Sequence, residues 1–222
     1  MNLLVTAATA LEIKPFQEYL AQNGAPENCQ VDILIGGIGL MHTAWHLGRE
    51  LARKKPDLAI QAGIAGSFRR NWPLGQVVVI GSEQFGDLGV DDNGTFKDLF
   101  DTGLWPAGLS PFNGNSLVNT FSGLPFVPEL PLAKGISINM VTGSPASIER
   151  LEQKYAPDIE SMEGAAFHFA CLQEGVPFLQ LRSISNYVEA RDRSKWNIPL
   201  AVKQLNETLI SLVEQLAVKK GK

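Results

Sequence analysis

Short apolar runs alternate along the chain with longer segments whose apolar residues recur at helical spacing. Such runs are typical of buried strands, and the segments between them supply the crossovers that parallel strands require. The alternation therefore predicts an α/β fold of three layers, with a central mixed β-sheet, largely parallel, flanked by helices. The expected strands are residues 2–8, 31–35, 57–61, 76–80, 135–141, a short run near 159, and 177–184. The expected helices are residues 10–21, 40–54, 147–155, 164–174 and 197–218.

The segment 87–131 departs from this pattern. It is rich in Gly, Pro and Asn, and its apolar residues follow no steady period. Loops of this length inside compact domains are usually functional or mobile. Because regular alternation resumes afterwards, we interpret the segment as a long loop or lid-like insertion within a single domain that spans residues 1–222, a length that suits one α/β core.

Charge and cysteine content limit the possible partners. The net charge of −4 offers no general attraction for nucleic acid or an anionic membrane surface. No apolar run approaches the roughly 20 residues that span a bilayer, and the apolar start lacks the basic residues of a signal peptide. Cys29 and Cys171 suit a reducing compartment, and the three histidines show no metal-ligand spacing. We therefore expect a cytoplasmic protein without a metal or organic cofactor.

Four segments with polar or glycine residues lie at the expected ends of strands. In open α/β sheets, ligands bind beyond the carboxyl ends of the strands, so these segments are expected to form one pocket. The segments are residues 6–12, the glycine turns 36–39 and 63–67, residues 161–164, and residues 182–186.

The ordered set of these motifs resembles the nucleoside phosphorylase and nucleosidase superfamily. The resemblance covers nearly the whole chain and is weakest over residues 87–131. Within the superfamily the chain is most similar to the futalosine hydrolases, and next to the methylthioadenosine and S-adenosylhomocysteine nucleosidases. The family implies a small-molecule purine nucleoside as partner and a homodimer or larger homo-oligomer. The motifs that carry it are Glu12 after the first strand, GGIG (36–39), AGIAGS (62–67), SMEGAA (161–166) and RSISN (182–186).

Glu12 and Glu163 are the candidate acidic groups. In isolation Glu12 would be a solvated helix residue, but the family implies that it is the general base for an attacking water. The family also implies that Glu163 accepts hydrogen bonds from the ribose hydroxyls while Met162 packs beneath the sugar. Alternatively, Glu163 is an acid favoured by the positive end of a helix dipole, and both interpretations are compatible. The neighbouring Ser161 stands where the nearer nucleosidases have a glutamate, which leaves its role in substrate binding open.

The segment around Glu12 also bears on the nucleophile. Phosphorylases of the superfamily hold phosphate with glycine and arginine residues near the N-terminus. Residues 6–16 contain no arginine and no Gly-Asp-Pro pattern. Water is therefore favoured over phosphate.

Asn186 is the candidate catalytic residue that contacts the base. Adenine-cleaving relatives carry an aspartate there, which accepts a proton from the exocyclic amine. A 6-oxopurine presents a carbonyl instead, and an Asn amide supplies the donor that it requires. The structural alternative is a loop Asn that bonds its own backbone. The match of residues 182–185 favours the first interpretation, with hypoxanthine as the base.

The second glycine turn supplies further candidates for substrate binding. Gly63 is expected to let the backbone approach the ligand, together with Ile64 and Ala65. Ile64 replaces a serine that is common in the relatives. No residue is assigned to stack on the base; the candidates are Phe85, Phe112 and Phe126, each more often a core residue.

The sequence therefore predicts hydrolysis of the N-glycosidic bond of a 6-oxopurine nucleoside, with futalosine as the expected substrate. Three alternatives remain. They are an adenine nucleosidase of the methylthioadenosine type, which Asn186 disfavours, a purine nucleoside phosphorylase, and a nucleoside-binding protein without activity. Binding alone would not require a base such as Glu12, which disfavours the last of these.

Overall fold

The computed structural model describes residues 1–120 and 130–219. The strands are β1 (Asn2–Ala7), β2 (Gln30–Ile35), β3 (Leu58–Ser67), β4 (Val77–Phe85), β5 (Gly89–Asp92), β6 (Thr95–Asp98), β7 (Leu117–Val118), β8 (Leu132–Ser137), β9 (Ile159–Ser161) and β10 (Phe178–Tyr187). The α-helices are α1 (Ala10–Asn23), α2 (Leu40–Arg53), α3 (Pro145–Tyr155), α4 (Gly164–Glu174) and α5 (Ile198–Lys219).

One mixed sheet organises the molecule, as the sequence predicts. Its order is β10-β4-β8-β9-β3-β1-β2, and β7 adds to β4. Five pairs of neighbouring strands are parallel: β1–β2, β1–β3, β3–β10, β4–β8 and β8–β9. Three pairs are antiparallel: β4–β10, β3–β9 and β4–β7. Because β10 also pairs with β3, the strands β3, β10, β4, β8 and β9 close into a ring, and β1 and β2 extend from it.

Helices cover both faces of the sheet, so the three-layer architecture is confirmed. Alternate side chains of β1 point to opposite faces. Leu3 and Val5 pack in a core with the inner sides of α1 and α5. Leu4 packs in a second core with α2 and α4. None of the helices in residues 1–120 and 130–219 has the length and apolar character that crossing a bilayer requires.

Two strands are longer than the sequence predicts. The expected turn at residues 63–67 lies inside β3, and Asn186 lies inside β10 rather than in a loop after it. The reason is that β3 and β10 pair with each other almost to their ends, which satisfies backbone groups that a turn would expose. A register shift between Ile184 and Asn186 marks a bulge at Ser185.

The segment 87–131 contains regular structure in addition to loops. Strands β5 and β6 form an antiparallel hairpin joined by Asn93 and Gly94, which both have positive φ, the conformation of a two-residue hairpin turn. The strand β7 lies further along the segment. The sequence pattern does not reveal these strands because each has only two to four residues, too few to show an apolar alternation. The description of the segment as a lid stays a prediction.

Candidate active site

A cavity of about 300 Å³ opens near the carboxyl ends of β1, β3 and β10. We call it the carboxylate cavity, because Glu12, Glu160 and Glu163 contribute to its wall. Seven of the eight residues proposed from the sequence line it, and Gly63 does not. The seven are Glu12, Ile64, Ala65, Ser161, Met162, Glu163 and Asn186.

Glu12 lies in the first turn of α1 and is only 8% exposed, so it is not a solvated helix residue. Its Oε2 atom accepts hydrogen bonds from the backbone N–H and the hydroxyl of Thr9, at 2.9 and 3.0 Å. Its Oε1 atom accepts one from the backbone N–H of Ile64, at 3.1 Å. Burial raises the pKa of Glu12; Arg182 opposes the rise and the Glu163 carboxylate adds to it.

A kink in α1 helps to position Glu12. The helix departs from helical geometry at Ile13, and Pro15 lies in its interior. A proline there leaves backbone groups without their usual partners. Asn206 of α5 supplies them: its Nδ2 donates to the carbonyl of Glu12 at 2.8 Å, and its Oδ1 accepts from the N–H of Phe16 at 3.0 Å.

Glu163 precedes α4 as its N-terminal cap residue and is 6% exposed. Its Oε1 accepts a hydrogen bond from the N–H of Gly39, the residue before α2, at 3.2 Å. Its Oε2 lies 3.3 Å from Nη1 of Arg182. Glu163 therefore joins the starts of two helices to a charged residue of the central sheet.

Arg182 is the main residue that the sequence analysis did not assign to the site. It lies inside β10 and is 1% exposed. In addition to its contact with Glu163, Nη2 donates to Oε1 of Gln61 at 2.9 Å. A β-carbon on Gly63 would lie 2.3 Å from Nη1 of Arg182 and 3.2 Å from Oε1 of Glu12. The space that Gly63 leaves open is thus occupied by the guanidinium group, which connects the environments of Glu12 and Glu163.

Asn186 borders the other side of the carboxylate cavity. Its Oδ1 accepts a hydrogen bond from the hydroxyl of Ser185 at 2.8 Å, and its Nδ2 donates to the carbonyl of Tyr187 at 3.1 Å. The local backbone bond considered as an alternative in the sequence analysis is therefore present. One of the two Nδ2 hydrogens suffices for that bond, so the amide retains a donor for a ligand.

Ser161 and Met162 have different environments. Ser161 is buried, and its hydroxyl accepts the N–H of Gly164 at 3.2 Å. Met162 is half-buried and lines the carboxylate cavity. Trp196 also lines this cavity; it is an aromatic residue that the sequence analysis did not consider as a partner for the base.

A buried carboxyl, Glu83, lies behind the site. It accepts hydrogen bonds from Gln180 Nε2 at 2.8 Å and Ser137 Oγ at 3.0 Å. Burial raises its pKa to about 7. A β-carbon on Gly135 or Gly164 would lie within 2.4 Å of its Oε1, so these two glycines enclose the carboxyl.

The candidate aromatic residues lie elsewhere. Phe85 and Phe112 line a second cavity of about 450 Å³, which we call the aromatic cavity. Phe126 lies outside the described residues. The aromatic cavity is bounded by residues of α2, α4 and the segment 87–131, among them Met41, Phe100, Trp105 and Phe169.

These features define a class: an α/β protein with a small-molecule cavity at the ends of its strands, in which two buried carboxylates share one buried arginine. Comparison with known proteins narrows this class. The family model for the phosphorylase superfamily matches residues 13–217. The chain is similar in sequence to two curated futalosine hydrolases. The one from Thermus thermophilus is 30% identical, and the match covers 94% of this chain and 91% of the relative. The one from Acidothermus cellulolyticus is 32% identical, and the match covers 82% of this chain and 74% of the relative.

A solved structure of futalosine hydrolase from Helicobacter pylori superposes with a TM-score of 0.80 at 18% identity, over 97% of this chain and 98% of the other. This likeness confirms the fold. The chain belongs to the phosphorylase superfamily and, within it, to the family of nucleosidases that includes the futalosine hydrolases. The resemblance inferred from the sequence motifs is thereby confirmed.

Proposed function

We propose that this chain hydrolyses the N-glycosidic bond of futalosine and releases hypoxanthine, a reaction of menaquinone biosynthesis. The observation that carries the proposal is the buried Glu12 carboxylate at the wall of the carboxylate cavity, coupled through Arg182 to Glu163. A cavity of about 300 Å³ is at the lower end of the range for small-molecule sites.

Glu12 is the proposed general base. Three donors from Thr9 and Ile64 fix its carboxylate, which keeps its orientation as the substrate binds. Its raised pKa makes it a better proton acceptor than an exposed glutamate. Because Oε1 accepts only one of these bonds, it retains a lone pair that can accept a proton from an attacking water.

Glu163 is proposed to hold the ribose hydroxyls, with Met162 beneath the sugar. The bond from Gly39 and the contact with Arg182 keep the Glu163 carboxylate oriented. Two negative charges beside the sugar also favour an oxocarbenium-like transition state, which carries positive charge. Arg182 limits the repulsion between them in the free protein.

Asn186 is proposed to stabilise the leaving base. Its remaining amide hydrogen can donate to an oxygen or nitrogen of the purine on which negative charge collects as the bond breaks. Oriented donors at such positions contribute on the order of 3 kcal/mol to catalysis.

The lining of the carboxylate cavity supports water rather than phosphate as nucleophile. Three glutamates contribute to it, and the described residues that line it include no lysine or arginine. A phosphate dianion would meet repulsion there without a compensating cation.

We also propose that the protein is a cytoplasmic homodimer or larger homo-oligomer. Met41 of α2, which lines the aromatic cavity, is 74% exposed, and Trp45, one turn further along the same helix, is 66% exposed. Large apolar side chains grouped at a surface are typical of interfaces. Light scattering at micromolar concentration is expected to give at least twice the mass of the chain; a monomer at all concentrations would refute this assembly.

The proposed reaction is tested with purified protein and three nucleosides: futalosine, inosine and methylthioadenosine. Each is incubated with and without phosphate, and the free base and the sugar product are quantified by chromatography. Futalosine is expected to give hypoxanthine at a rate that phosphate does not change. Formation of a sugar 1-phosphate would identify a phosphorylase, preferred cleavage of methylthioadenosine an adenine nucleosidase, and no release of base a binding protein.

A further inference from the structure

Glu160 is a buried acid of the carboxylate cavity that the mechanism above does not use. It is 6% exposed and lines the cavity. Its Oε1 accepts the backbone N–H of Thr142 at 3.1 Å. Its Oε2 is shielded from water and has no hydrogen-bond partner among the described residues. Buried polar atoms are rarely left in this condition, so the missing donor requires an explanation.

The sheet register places Glu160 opposite Asn186. Within β3, Gly66 pairs with Glu160 on one side and with Asn186 on the other. Directly paired residues have side chains on the same face of a sheet, and neighbouring strands are about 4.8 Å apart. The two polar side chains therefore flank a glycine that has none. A β-carbon on Gly66 would lie 3.1 Å from Nδ2 of Asn186, which confirms that this amide leans over the gap.

We propose that Glu160 and Asn186 together recognise the lactam edge of a 6-oxopurine. Oε2 of Glu160, which becomes accessible as the ligand binds, accepts the ring N–H, and Asn186 donates to the adjacent carbonyl. This inference rests on the proposed function and identifies the part of the substrate that the protein recognises. An adenine edge has the opposite pattern, an acceptor ring nitrogen beside an amine donor. An ionised Glu160 would leave that ring nitrogen without a donor and repel it.

The contact with Thr142 makes Glu160→Gln an informative substitution. The Thr142 N–H requires an oxygen, so the amide oxygen of Gln is held in the place of Oε1. The amide nitrogen then occupies the place of Oε2 and offers a donor where the lactam needs an acceptor. The same donor suits the ring nitrogen of adenine.

The test compares futalosine with its analogue that carries adenine in place of hypoxanthine, so that only the base differs. In Glu160→Gln, the ratio of kcat/KM for the two nucleosides is expected to shift at least about tenfold toward the adenine nucleoside. The reason is that a site discriminates strongly against a base that leaves its buried polar groups unpaired. Glu83→Gln is the matched control. It makes the same change in another buried carboxyl that does not line the cavity, and is expected to leave the ratio unchanged.

Binding of free hypoxanthine and adenine, measured by calorimetry on the same three proteins, separates this inference from the proposed reaction. A switch in base preference by Glu160→Gln would support the role of Glu160 even if no nucleoside were hydrolysed. Two results would overturn the role of Glu160 and leave the proposed reaction standing, provided that the wild-type protein hydrolyses futalosine. The first is an unchanged base preference in Glu160→Gln. The second is a change of base preference in Glu83→Gln as large as that in Glu160→Gln.

Discussion

The carboxylate cavity and the aromatic cavity lie in the same α/β scaffold but are built differently. The first is formed by residues at strand ends and helix starts, with charged groups fixed by hydrogen bonds from opposite parts of the chain. The second is formed by apolar and aromatic side chains, several of them from the segment 87–131, with Phe112 in contact with Phe85, Phe100, Trp105 and Phe169. We therefore expect the proposed reaction to depend on the carboxylate cavity, and the stability and proposed association of the chain to depend on the aromatic cavity.

The largest effect is expected from Glu12→Gln in the carboxylate cavity. The amide cannot accept the proton of water, so kcat is expected to fall by about 10²–10⁴-fold, the usual contribution of a general base. Binding of the nucleoside is expected to remain. Stopped-time assays give kcat, and calorimetry gives Kd. Glu18→Gln, on the exposed part of the same helix, is the control and is expected to behave as wild type.

Gly63→Ala is expected to have the next largest effect. The added methyl group would lie 2.3 Å from Nη1 of Arg182, which is buried and has little room to withdraw. Displacement of Arg182 disturbs both carboxylates, and small misplacements in active sites cost up to about 100-fold in rate. The comparison variant Gly48→Ala adds a methyl group to α2 where nothing lies within 4 Å, and its activity should not change. A kcat/KM of Gly63→Ala equal to that of the wild type would show that the position of Arg182 does not matter for the reaction.

Asn186→Asp is expected to change the preference for the base. An ionised Asp offers only acceptors, so it faces the carbonyl of a 6-oxopurine with repulsion and can accept from an adenine amine. A change of about 1.4 kcal/mol corresponds to a tenfold shift in the ratio of kcat/KM for the two bases. An unaltered ratio would show that Asn186 does not contact the base.

The smallest effect on catalysis is expected from Phe112→Ala in the aromatic cavity. Loss of the contacts with four rings should lower the free energy of unfolding by about 1–3 kcal/mol, less than for a fully buried ring, while kcat/KM stays within about twofold. Denaturant titration measures the first quantity. Leu104→Ala, in the same segment and 65% exposed, is expected to change stability by no more than about 0.5 kcal/mol. A large loss of activity in Phe112→Ala would mean that the two cavities act together.

The two regions also differ in how far the sequence predicts them. The apolar runs reveal β1, β3 and β10, and the residues at their ends point to Glu12, Glu163 and Asn186. Their convergence depends on pairing between distant strands, which spacing along one chain does not reveal. The segment 87–131 has no regular alternation, so its hairpin and its aromatic contacts could not be predicted.

Arg182, in the site, and Glu83, which lies behind it, were not predicted from the sequence for the same reason. Each lies in or directly after an apolar run, where a single charge resembles a solvated strand end. The signal that could have identified them is that charges inside buried strands are expensive unless they are paired. Their partners, Gln61 and Gln180, are about 100 residues or more away along the chain, and only the fold brings them together.

The enclosure of Glu83 between Gly135 and Gly164 links folding to proton uptake. The carboxyl has a pKa of about 7 in the folded protein and an ordinary value of 4.5 when exposed in the unfolded chain. Between these values the folded state holds a proton that the unfolded state releases. The contribution of Glu83 to the free energy of unfolding is therefore greatest below about pH 4.5 and declines by roughly 3 kcal/mol as the pH rises to about 7. Between these pH values, the Glu83 carboxyl therefore takes up a proton from the medium when the chain folds.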